Sequence, residues 1–307
     1  MKVLIVAVDK GGHFVPFVEE QMHALQAKGC VVERFGVKGK GVLGYLKCLP
    51  ALHRKIKQFA PDVIHAHYGF SGLLSNLQFK IPVVTTYHGS DINNPQALRF
   101  SKMSMALSDF NVFVSQKTMD IAGVKRKCGL IPCGVDVASY VAVDKGKAKE
   151  ELHFSQLRKY VLFAGAFDVP VKNAPLAQQA IALLDNVSLV ELKGYTRKEV
   201  LLLMQAVDAF LMTSHTEGSP QVVKEAMLCG CPIVSVDVGD VSERIAGVEG
   251  CYIAERTPQD LAEKLTKAMN FEGRTNGRDK LLSEGFDNAQ IAEQLLDVYR
   301  KVTKKNI

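Results

Sequence analysis

The stretch Lys2-Val3-Leu4-Ile5-Val6-Ala7-Val8 decides the fold of this chain, because its apolar residues follow one another without alternation. A strand with one face in water alternates apolar and polar residues, whereas a strand covered by helices on both faces does not. Val161-Leu162-Phe163-Ala164 repeats the continuous pattern in the second half of the chain. Both strands are therefore predicted to belong to parallel sheets with helices on each face.

Short apolar runs alternate with amphipathic segments along all 307 residues. Strands are predicted at 2–8, 30–35, 62–66, 82–87, 110–114, 129–132, 159–165, 187–192, 208–213, 231–236 and 250–253. Helical periodicity is found at 14–28, 43–59, 172–184, 196–206, 220–229, 257–270 and 287–303. This repeated β-α-β order predicts an α/β, doubly wound fold.

A domain boundary is predicted near 134–149, where one strand series ends and a charged stretch precedes the next. We expect one Rossmann-like domain over 1–140, joined by a C-terminal helix at 287–305, and a second over 141–286. Ligands of such sheets bind beyond the carboxyl ends of the strands, so the site is expected in a cleft between the domains.

The composition, 47% hydrophobic and 23% charged, is that of a soluble globular protein. The sequence has no run of eighteen uncharged apolar residues, which argues against a membrane-spanning helix. The apolar run of the first strand is too short for a signal peptide. The seven cysteines are an odd number without zinc-site spacing, so reduced structural thiols are expected. These features predict a cytoplasmic protein.

The formal net charge is +6, and cationic residues are concentrated in the first third of the chain. They are Lys38, Lys40, Lys47, Arg54, Lys55 and Lys57. A solvated helix face explains them, and so does attraction to anionic lipid headgroups or to a negatively charged substrate. No aromatic-basic motif accompanies the charge, so no nucleic-acid partner is expected.

A strand end, a glycine-proline turn and a helix follow one another over Thr213-Ser214-His215-Thr216-Glu217-Gly218-Ser219-Pro220-Gln221-Val222-Val223-Lys224-Glu225. The amides of a helix start, with the helix dipole behind them, bind anions such as phosphate. Glu225, about two turns into this predicted helix, can accept hydrogen bonds from vicinal ribose hydroxyls. An ordinary first-turn charge at Glu217 and a solvated Glu225 fit the pattern equally well.

A second strand, Val161–Ala164, ends at Gly165, and Lys172 stands at the predicted start of the next helix. A lysine there can neutralise a diphosphate leaving group as its charge develops. The helix dipole disfavours a cation at that end, which argues against Lys172 being merely a solvated residue.

The Thr213–Gly230 stretch resembles the Glu-x₇-Glu signature of the family 4 retaining glycosyltransferases, which have the GT-B fold. This resemblance implies that Glu217 contacts the transferred sugar and that Glu225 binds the nucleotide ribose. It implies donor contacts from the turn and helix start, namely Gly218, Ser219, Pro220, Gln221 and Val222. Lys172 matches the family's loop lysine, but Ala166 stands where the family usually has an arginine.

Thr86-Tyr87-His88-Gly89-Ser90-Asp91 resembles the family's Thr-x-His-Gly-x-Asp turn, which implies that His88 contacts the donor sugar and that Asp91 supports it. Without the resemblance, a hydrogen-bonded turn histidine and a helix-capping aspartate explain the pair. The family also has a glycine-rich loop after its first strand, which implies a donor contact at Gly12. His65 and His67 share a strand face, and buried or acceptor-side histidines are favoured over a metal site.

The resemblance implies transfer of a hexose-type sugar from a UDP- or GDP-sugar to a glycan or lipid-linked acceptor, with retention of configuration. His88, Lys172 and Glu217 would be catalytic, with no metal and no cofactor besides the sugar nucleotide as co-substrate. Cell-envelope or exopolysaccharide synthesis, with peripheral contact to an anionic inner membrane surface, is expected. A nucleotide-sugar epimerase, a phosphorylase and a non-catalytic sugar-nucleotide-binding module are the alternatives, and Ala166 is the main support for the last.

Overall fold

The computed structural model describes residues 1–39 and 41–304, so Lys40 and the last residue of the helix predicted at 287–305 lie outside the described residues. The chain forms two compact units. Unit 1 comprises Met1–Gly134 together with the residues from Phe286 onward, and unit 2 comprises Val135–Gly285.

Unit 1 contains a parallel six-stranded sheet. Its strands are β1 (Lys2–Val8), β2 (Val31–Val37), β3 (Val63–His67), β4 (Val83–Tyr87), β5 (Phe110–Phe113) and β6 (Cys128–Leu130). Its first helices are α1 (Pro16–Ala27), α2 (Gly41–Leu46), α3 (Leu49–Phe59), α4 (Gly69–Asn76), α5 (Ser90–Asn93), α6 (Pro95–Leu107) and α7 (Gln116–Ala122). The strand order β2-β1-β3-β4-β5-β6 is that of a doubly wound sheet.

Unit 2 contains a parallel five-stranded sheet in the order β11-β10-β9-β7-β8. These strands are β7 (Lys159–Phe163), β8 (Val187–Glu191), β9 (Ala209–Met212), β10 (Ile233–Val236) and β11 (Tyr252–Ala254). Its helices are α8 (Lys145–Glu151), α9 (Ala174–Ile181), α10 (Arg197–Ala206), α11 (Gln221–Leu228), α12 (Val241–Ile245), α13 (Pro258–Met269) and α14 (Gly277–Ser283). The last helix, α15 (Asn288–Thr303), returns to unit 1.

The β1 residues explain the continuous apolar pattern. Val3 and Ile5 belong to a core on one face of the sheet, which also includes residues of α1 and α15. Leu4 and Val6 belong to a core on the other face, which includes residues of α3 and α4. Both faces of β1 are therefore buried, and each of the eleven predicted strands is present within the described residues, which confirms the α/β, doubly wound class.

The predicted helix at 43–59 is wrong as a single element, because the structure has α2 and α3 there, separated by Lys47 and Cys48. Pro50 lies in the first turn of α3. Proline has no amide hydrogen and its ring collides with the carbonyl four residues earlier, so a helix cannot run through that point without a break.

None of the helices in the described residues is long and apolar enough to span a bilayer.

Asp208 is a buried carboxylate that links three segments of unit 2. Its oxygens lie 2.6 Å from Lys145 Nζ, 3.4 Å from Lys149 Nζ and 3.6 Å from Lys159 Nζ, and the Tyr160 amide donates to it at 2.8 Å. Burial raises the pKa of Asp208, but the lysines and the amide outweigh burial and leave the pKa below its ordinary value. The folded unit therefore holds this carboxylate ionised.

We predict that Asp208→Asn lowers the free energy of unfolding by about 3 kcal/mol, because the buried Lys149 ammonium loses its counter-ion. Urea unfolding followed by circular dichroism measures the change. The matched control is Asp168→Asn, which breaks the exposed 2.7 Å pair with Lys193 and should leave the midpoint unchanged. Equal midpoints for the two variants would show that the buried cluster does not stabilise unit 2.

Candidate active site

The segment between β9 and α11 carries most of the predicted donor residues. Pro220 is the N-cap of α11 rather than a residue of its first turn, and no side chain caps the helix. The amides of Gln221 and Val222 are therefore the first two of the helix, and both side chains are only partly buried. Such a helix start suits an anion.

The loop after β9 is held in place by hydrogen bonds from side chains to backbone carbonyls. Thr213 Oγ1 donates to the carbonyls of Lys172 and Asn173, at 2.9 Å each. Arg256 donates from its guanidinium to the carbonyl of Ser214 at 2.9 Å. Sequence reasoning missed Arg256, since nothing local marks an arginine after β11 as the anchor of a loop 40 residues earlier. The loop is thus fixed against the 3₁₀ turn Pro170–Lys172.

Lys172 and Glu217, both predicted to be catalytic, form an ion pair with Nζ and Oε1 2.7 Å apart. Lys172 ends the 3₁₀ turn two residues before α9, so it lies just ahead of the helix start. Its side chain passes close to Gly165, where an added Cβ would lie 2.9 Å from Lys172 Cγ. Lys172 is not a solvated lysine, because its side chain is partly buried and paired.

Glu225 is buried and ion-paired, with 3% of its side chain exposed and Oε1 against Arg197 Nη1. The interpretation of Glu225 as a solvated helix residue is therefore wrong. The predicted depth is also wrong, because α11 begins at Gln221 and Glu225 is its fifth residue, little more than one turn in. The structure keeps its carboxylate close to the helix start.

Arg197 is a candidate functional residue that sequence reasoning missed. It is the first residue of α10, whose start is fixed by a capping box between Thr196 and Glu199. A cation is disfavoured in the first turn by the helix dipole. The Thr-x-x-Glu capping pattern of Thr196 and Glu199 places Arg197 in the first turn of a helix, so Arg197 carries the same sequence signal as Lys172, a cation at a helix start.

Ser219 and Asp240 join the predicted donor loop to the segment after β10. Ser219 Oγ donates to Asp240 Oδ2 at 2.8 Å, and Asp240 Oδ1 is buried without a hydrogen-bond partner in the described residues. Burial raises the pKa of Asp240. Gly239, at φ 60°, approaches the loop so closely that an added Cβ would lie 2.9 Å from the Gly218 carbonyl oxygen. The Gly218–Ser219 backbone is thereby supported from behind.

In unit 1, Asp91 holds the turn after β4. Its Oδ1 accepts from the amides of His88 and Gly89, and its Oδ2 accepts from the Gly69 amide, at 3.0 Å each. Burial raises the pKa of Asp91 to about 6, although the amides work against this shift. Asp91 therefore positions the backbone of His88, as a supporting residue would.

Three histidines of unit 1 lie in a row of rings. The ring centroids are 4.5 Å apart for His65 and His67, and 5.2 Å apart for His67 and His88. His65 also contacts the Tyr299 hydroxyl at 2.6 Å and Thr86 Oγ1 at 2.7 Å, which accounts for it as a buried, hydrogen-bonded histidine.

The row of rings also constrains His88. Its Nε2 lies 3.0 Å from His67 Nδ1, and its Nδ1 lies 3.7 Å from Cys133 Sγ. His67 Nε2 is buried without a partner in the described residues, and an unpaired buried N–H is costlier than an unpaired acceptor. We therefore assign the hydrogen to His67 Nδ1, which makes His88 Nε2 the acceptor. Both ring nitrogens of His88 thus face protein groups, and a sugar contact would replace one of them.

In the loop after β1, a backbone amide donates to a carboxylate of the same loop. The Gly12 amide donates to Asp9 Oδ1 at 2.5 Å, and Gly12 adopts φ 92° with nothing within 4 Å of an added Cβ. Glycine is required here by backbone conformation. A donor phosphate at the Gly12 amide would have to displace the Asp9 carboxylate.

Two family models match the chain. Residues 153–270 match the family described as "Glycosyl transferases group 1", and residues 4–139 match "Glycosyltransferase Family 4". Among curated relatives, an uncharacterized glycosyltransferase of Methanocaldococcus jannaschii is 29% identical over 247 residues, covering 69% of this chain and 66% of that protein. The putative teichuronic acid biosynthesis glycosyltransferase TuaC of Bacillus subtilis is 25% identical over 300 residues, covering 82% and 74%.

Two solved structures illustrate the likeness of fold. Sucrose-phosphate synthase from Thermosynechococcus elongatus superposes with a TM-score of 0.82 at 17% identity, over 99% of each chain. Anabaena HepE in complex with UDP-glucose superposes with a TM-score of 0.73 at 18% identity, over 98% of this chain and all of that one. At these identities the likeness concerns the fold.

The row of histidines gives the stability of unit 1 a pH dependence. Burial lowers the pKa of His67 to about 3, so the folded protein keeps it neutral while the unfolded chain takes up a proton below about pH 6.5. Wild type should therefore lose stability relative to His67→Gln by about 1.4 kcal/mol per pH unit below about pH 6. The raised pKa of Asp91 makes stability change with pH in the opposite direction. Because Asp91 is present in both proteins, its contribution cancels in the difference between them.

Urea unfolding at a series of pH values measures the difference. His23→Gln, at an exposed histidine of α1, is the control and should follow wild type at every pH. A constant stability difference between wild type and His67→Gln across this range would contradict the assignment of His67 as neutral and buried.

Proposed function

The chain belongs to the group 1 glycosyltransferases of the family 4 type, and we propose that it transfers a hexose-type sugar from a nucleoside-diphosphate donor with retention of configuration. The observation that carries this proposal is the Lys172–Glu217 ion pair beside the start of α11. It places a cation and a carboxylate next to the amides of a helix start, where a diphosphate and a sugar hydroxyl would need them.

The donor diphosphate would bind at the amides of Gln221 and Val222, with Lys172 compensating the charge that develops on the leaving group. In the structure Glu217 neutralises Lys172. A bound phosphate would take that role and release the Glu217 carboxylate to accept from a hydroxyl of the sugar. A donor would thus replace the ion pair with a phosphate at Lys172 and a sugar hydroxyl at Glu217, so both groups would keep a hydrogen-bond partner.

Glu225 would hold the ribose. Arg197 orients the carboxylate through Oε1, and a carboxylate oxygen has two lone pairs, so hydroxyl donors can bind beside the arginine. A UDP-sugar is the first donor to test, because one fold neighbour was solved with UDP-glucose.

The proton of the acceptor hydroxyl would pass to the diphosphate that leaves the donor. Neither Lys172 nor Glu217 is assigned as a nucleophile, because the bound donor would engage Lys172 through its diphosphate and Glu217 through a sugar hydroxyl. The acceptor oxygen would bond to the anomeric carbon while the bond from that carbon to the diphosphate breaks, and the departing phosphate oxygen would take the hydroxyl proton. Because the acceptor enters on the face that the diphosphate leaves, configuration is retained. Helix amides and Lys172 supply the positive field, so neither a metal nor a further cofactor is needed in this scheme.

The acceptor would be a cell-envelope or exopolysaccharide glycan carried on a lipid at the cytoplasmic membrane face. Helix α2 supports this proposal, because its apolar residues Val42, Leu43 and Leu46 are exposed. The sequence from Lys38 to Pro61 contains six lysine or arginine residues and no acidic residue. We call Val42, Leu43 and Leu46 with exposed Lys38 and Lys47 the α2 patch, and its chemistry suits an anionic bilayer surface.

A saturating donor should stabilise the wild-type protein by about 2.7 kcal/mol at 100 times its dissociation constant. We predict that Glu225→Ala removes most of this stabilisation, because the ribose hydroxyls lose their acceptor. A thermal-shift panel of UDP-, GDP- and ADP-sugars measures the effect, each variant being compared with its own unliganded state.

Glu263→Ala is the matched control, since it also removes a helix glutamate from an ion pair, the exposed one with Lys267. An unchanged shift in Glu225→Ala would exclude the ribose contact. The anomeric configuration of the product, read by NMR, tests retention separately, and inversion would overturn that part of the proposal.

We predict that the protein binds vesicles of anionic phosphatidylglycerol at low salt through the α2 patch. Leu43→Asp, at a side chain that is 77% exposed, should weaken this binding about tenfold, because burial of a leucine contributes about 1.5–3 kcal/mol. Cosedimentation over a range of salt concentrations measures it.

Leu157→Asp is the control, because Leu157 is 90% exposed but lies in unit 2, outside the α2 patch. It should bind vesicles as wild type does. If wild type stays in the supernatant at low salt, or if the two aspartate variants behave alike, the α2 patch is not a membrane contact.

A further inference from the structure

His67 is a buried histidine whose polar character the packing of unit 1 does not require. Its side chain is fully buried inside β3, and its Nε2 has no hydrogen-bond partner within the described residues. Its Nδ1 lies 3.0 Å from His88 Nε2. A buried polar atom without a partner carries a desolvation penalty that an apolar ring of similar size would not have. The contact with His88 is therefore the feature that explains why a histidine is found here.

The neighbouring histidine on the same face of β3 has a different role. His65 stacks on His67 and uses both of its own ring nitrogens, at 2.6 Å to the Tyr299 hydroxyl and at 2.7 Å to Thr86 Oγ1. These contacts join β3 to α15 and place the ring against β4, which is a structural role. His67 provides no such link through its second nitrogen, so its polar contact is directed at His88.

The contact with His67 decides which nitrogen of His88 carries the hydrogen. Because His67 donates from Nδ1, His88 accepts at Nε2, and a neutral His88 ring then carries its own hydrogen on Nδ1. Histidine in water favours the other tautomer, with the hydrogen on Nε2. Burial lowers the pKa of His67 to about 3, so this ring stays neutral and keeps a single hydrogen at neutral pH. His88 thereby gains one defined donor, Nδ1–H.

This Nδ1–H of His88 points to a weak acceptor. Cys133 Sγ lies 3.7 Å from Nδ1, and a cysteine sulfur accepts hydrogen bonds poorly. The rings of Phe17 and Tyr68 pack on the imidazole, with centroids 4.9 and 4.6 Å away, and limit its rotation. The oxygen of a sugar hydroxyl is a stronger acceptor than sulfur. Such an oxygen would therefore displace Cys133 and leave the bond to His67 intact.

We propose that His67 is a positioning residue that holds His88 in the Nδ1–H form, so that His88 meets the substrate as a neutral hydrogen-bond donor and not as a general base. A general base needs a bare nitrogen directed at the substrate, and the bare nitrogen of His88 is already engaged by His67. The inference rests on the proposed sugar transfer and agrees with passage of the acceptor proton to the leaving diphosphate.

The tautomers are measured without any ligand, by two-bond proton–nitrogen correlation NMR at neutral pH on the full chain labelled with nitrogen-15 histidine. This spectrum separates protonated from bare ring nitrogens, and His88→Gln identifies the signals of His88. Wild type should show His88 with its hydrogen on Nδ1. His67→Phe keeps a ring but removes the donor, so the Nε2–H form of His88 should become predominant.

Two further variants accompany His67→Phe. His67→Asn places an amide nitrogen near the position of Nδ1, so it should restore the donor and the Nδ1–H form of His88. His65→Gln is the matched control, because His65 stacks on His67 from the same strand face but directs its nitrogens to other groups, and the tautomer of His88 should not change. An Nε2–H form of His88 in wild type, or the same tautomer in wild type and His67→Phe, would overturn the proposal.

Turnover of the sugar nucleotide that stabilises wild type links the tautomer to the reaction. With water as the acceptor, His67→Phe should release nucleoside diphosphate about tenfold more slowly, which equals about 1.4 kcal/mol of activation free energy. It should retain a donor thermal shift, which shows that it is folded, and His67→Asn should recover most of the rate. Equal rates despite a changed tautomer would overturn the role of His88 as a donor. A wild-type protein without any donor shift would overturn the proposed transfer alone, because the tautomers are measured without ligand.

Discussion

Parallel strands that are covered on both faces leave little room for polar side chains except where the strands end. The constraint is visible in both sheets, since the ladders use the backbone groups of β1 and β7, and their side chains are largely buried and apolar. The candidate residues accordingly follow strands, with Gly12 after β1, His88 after β4 and Glu217 after β9. His65 and His67 lie inside β3 and are accommodated there because the fold keeps them neutral, in a row of rings.

Charges at these strand ends need partners before any substrate arrives. Lys172 pairs with Glu217, and Arg197 pairs with Glu225, in places where neither carboxylate is well solvated. A buried charge without a partner would cost several kcal/mol, so Arg197 compensates the buried Glu225 carboxylate, and Lys172 and Glu217 compensate each other at a partly exposed position. The Lys172–Glu217 pair limits what can bind, because a ligand that separates it would have to offer an anion to the lysine and a hydroxyl to the glutamate. A sugar nucleotide satisfies both requirements at once.

The sequence predicted the two sheets well, because continuous apolar runs have few alternatives to a buried parallel strand. Prediction from the sequence failed where the decisive contact is distant along the chain or where an element boundary depends on one residue. The break between α2 and α3 depends on Pro50, and the length of α11 before Glu225 depends on Pro220 acting as its N-cap. Arg256 anchors a loop 40 residues away, so no local pattern could reveal its role.

The backbone conformation of Tyr68, which follows β3 at φ 72° and ψ 149°, could not be predicted either, because the sequence gives no sign that a tyrosine adopts a conformation typical of glycine. The Asp91 carboxylate supports it, because its oxygens accept from the amide that follows Tyr68, at Gly69, and from the amide of His88. Burial without a charged partner raises the pKa of Asp91 to about 6, so the carboxylate is ionised at neutral pH and keeps its full strength as an acceptor. A protonated Asp91 would accept these amides less strongly. The strained tyrosine and the buried carboxylate therefore form one unit, in which the charge of Asp91 stabilises the backbone that presents the Tyr68 ring.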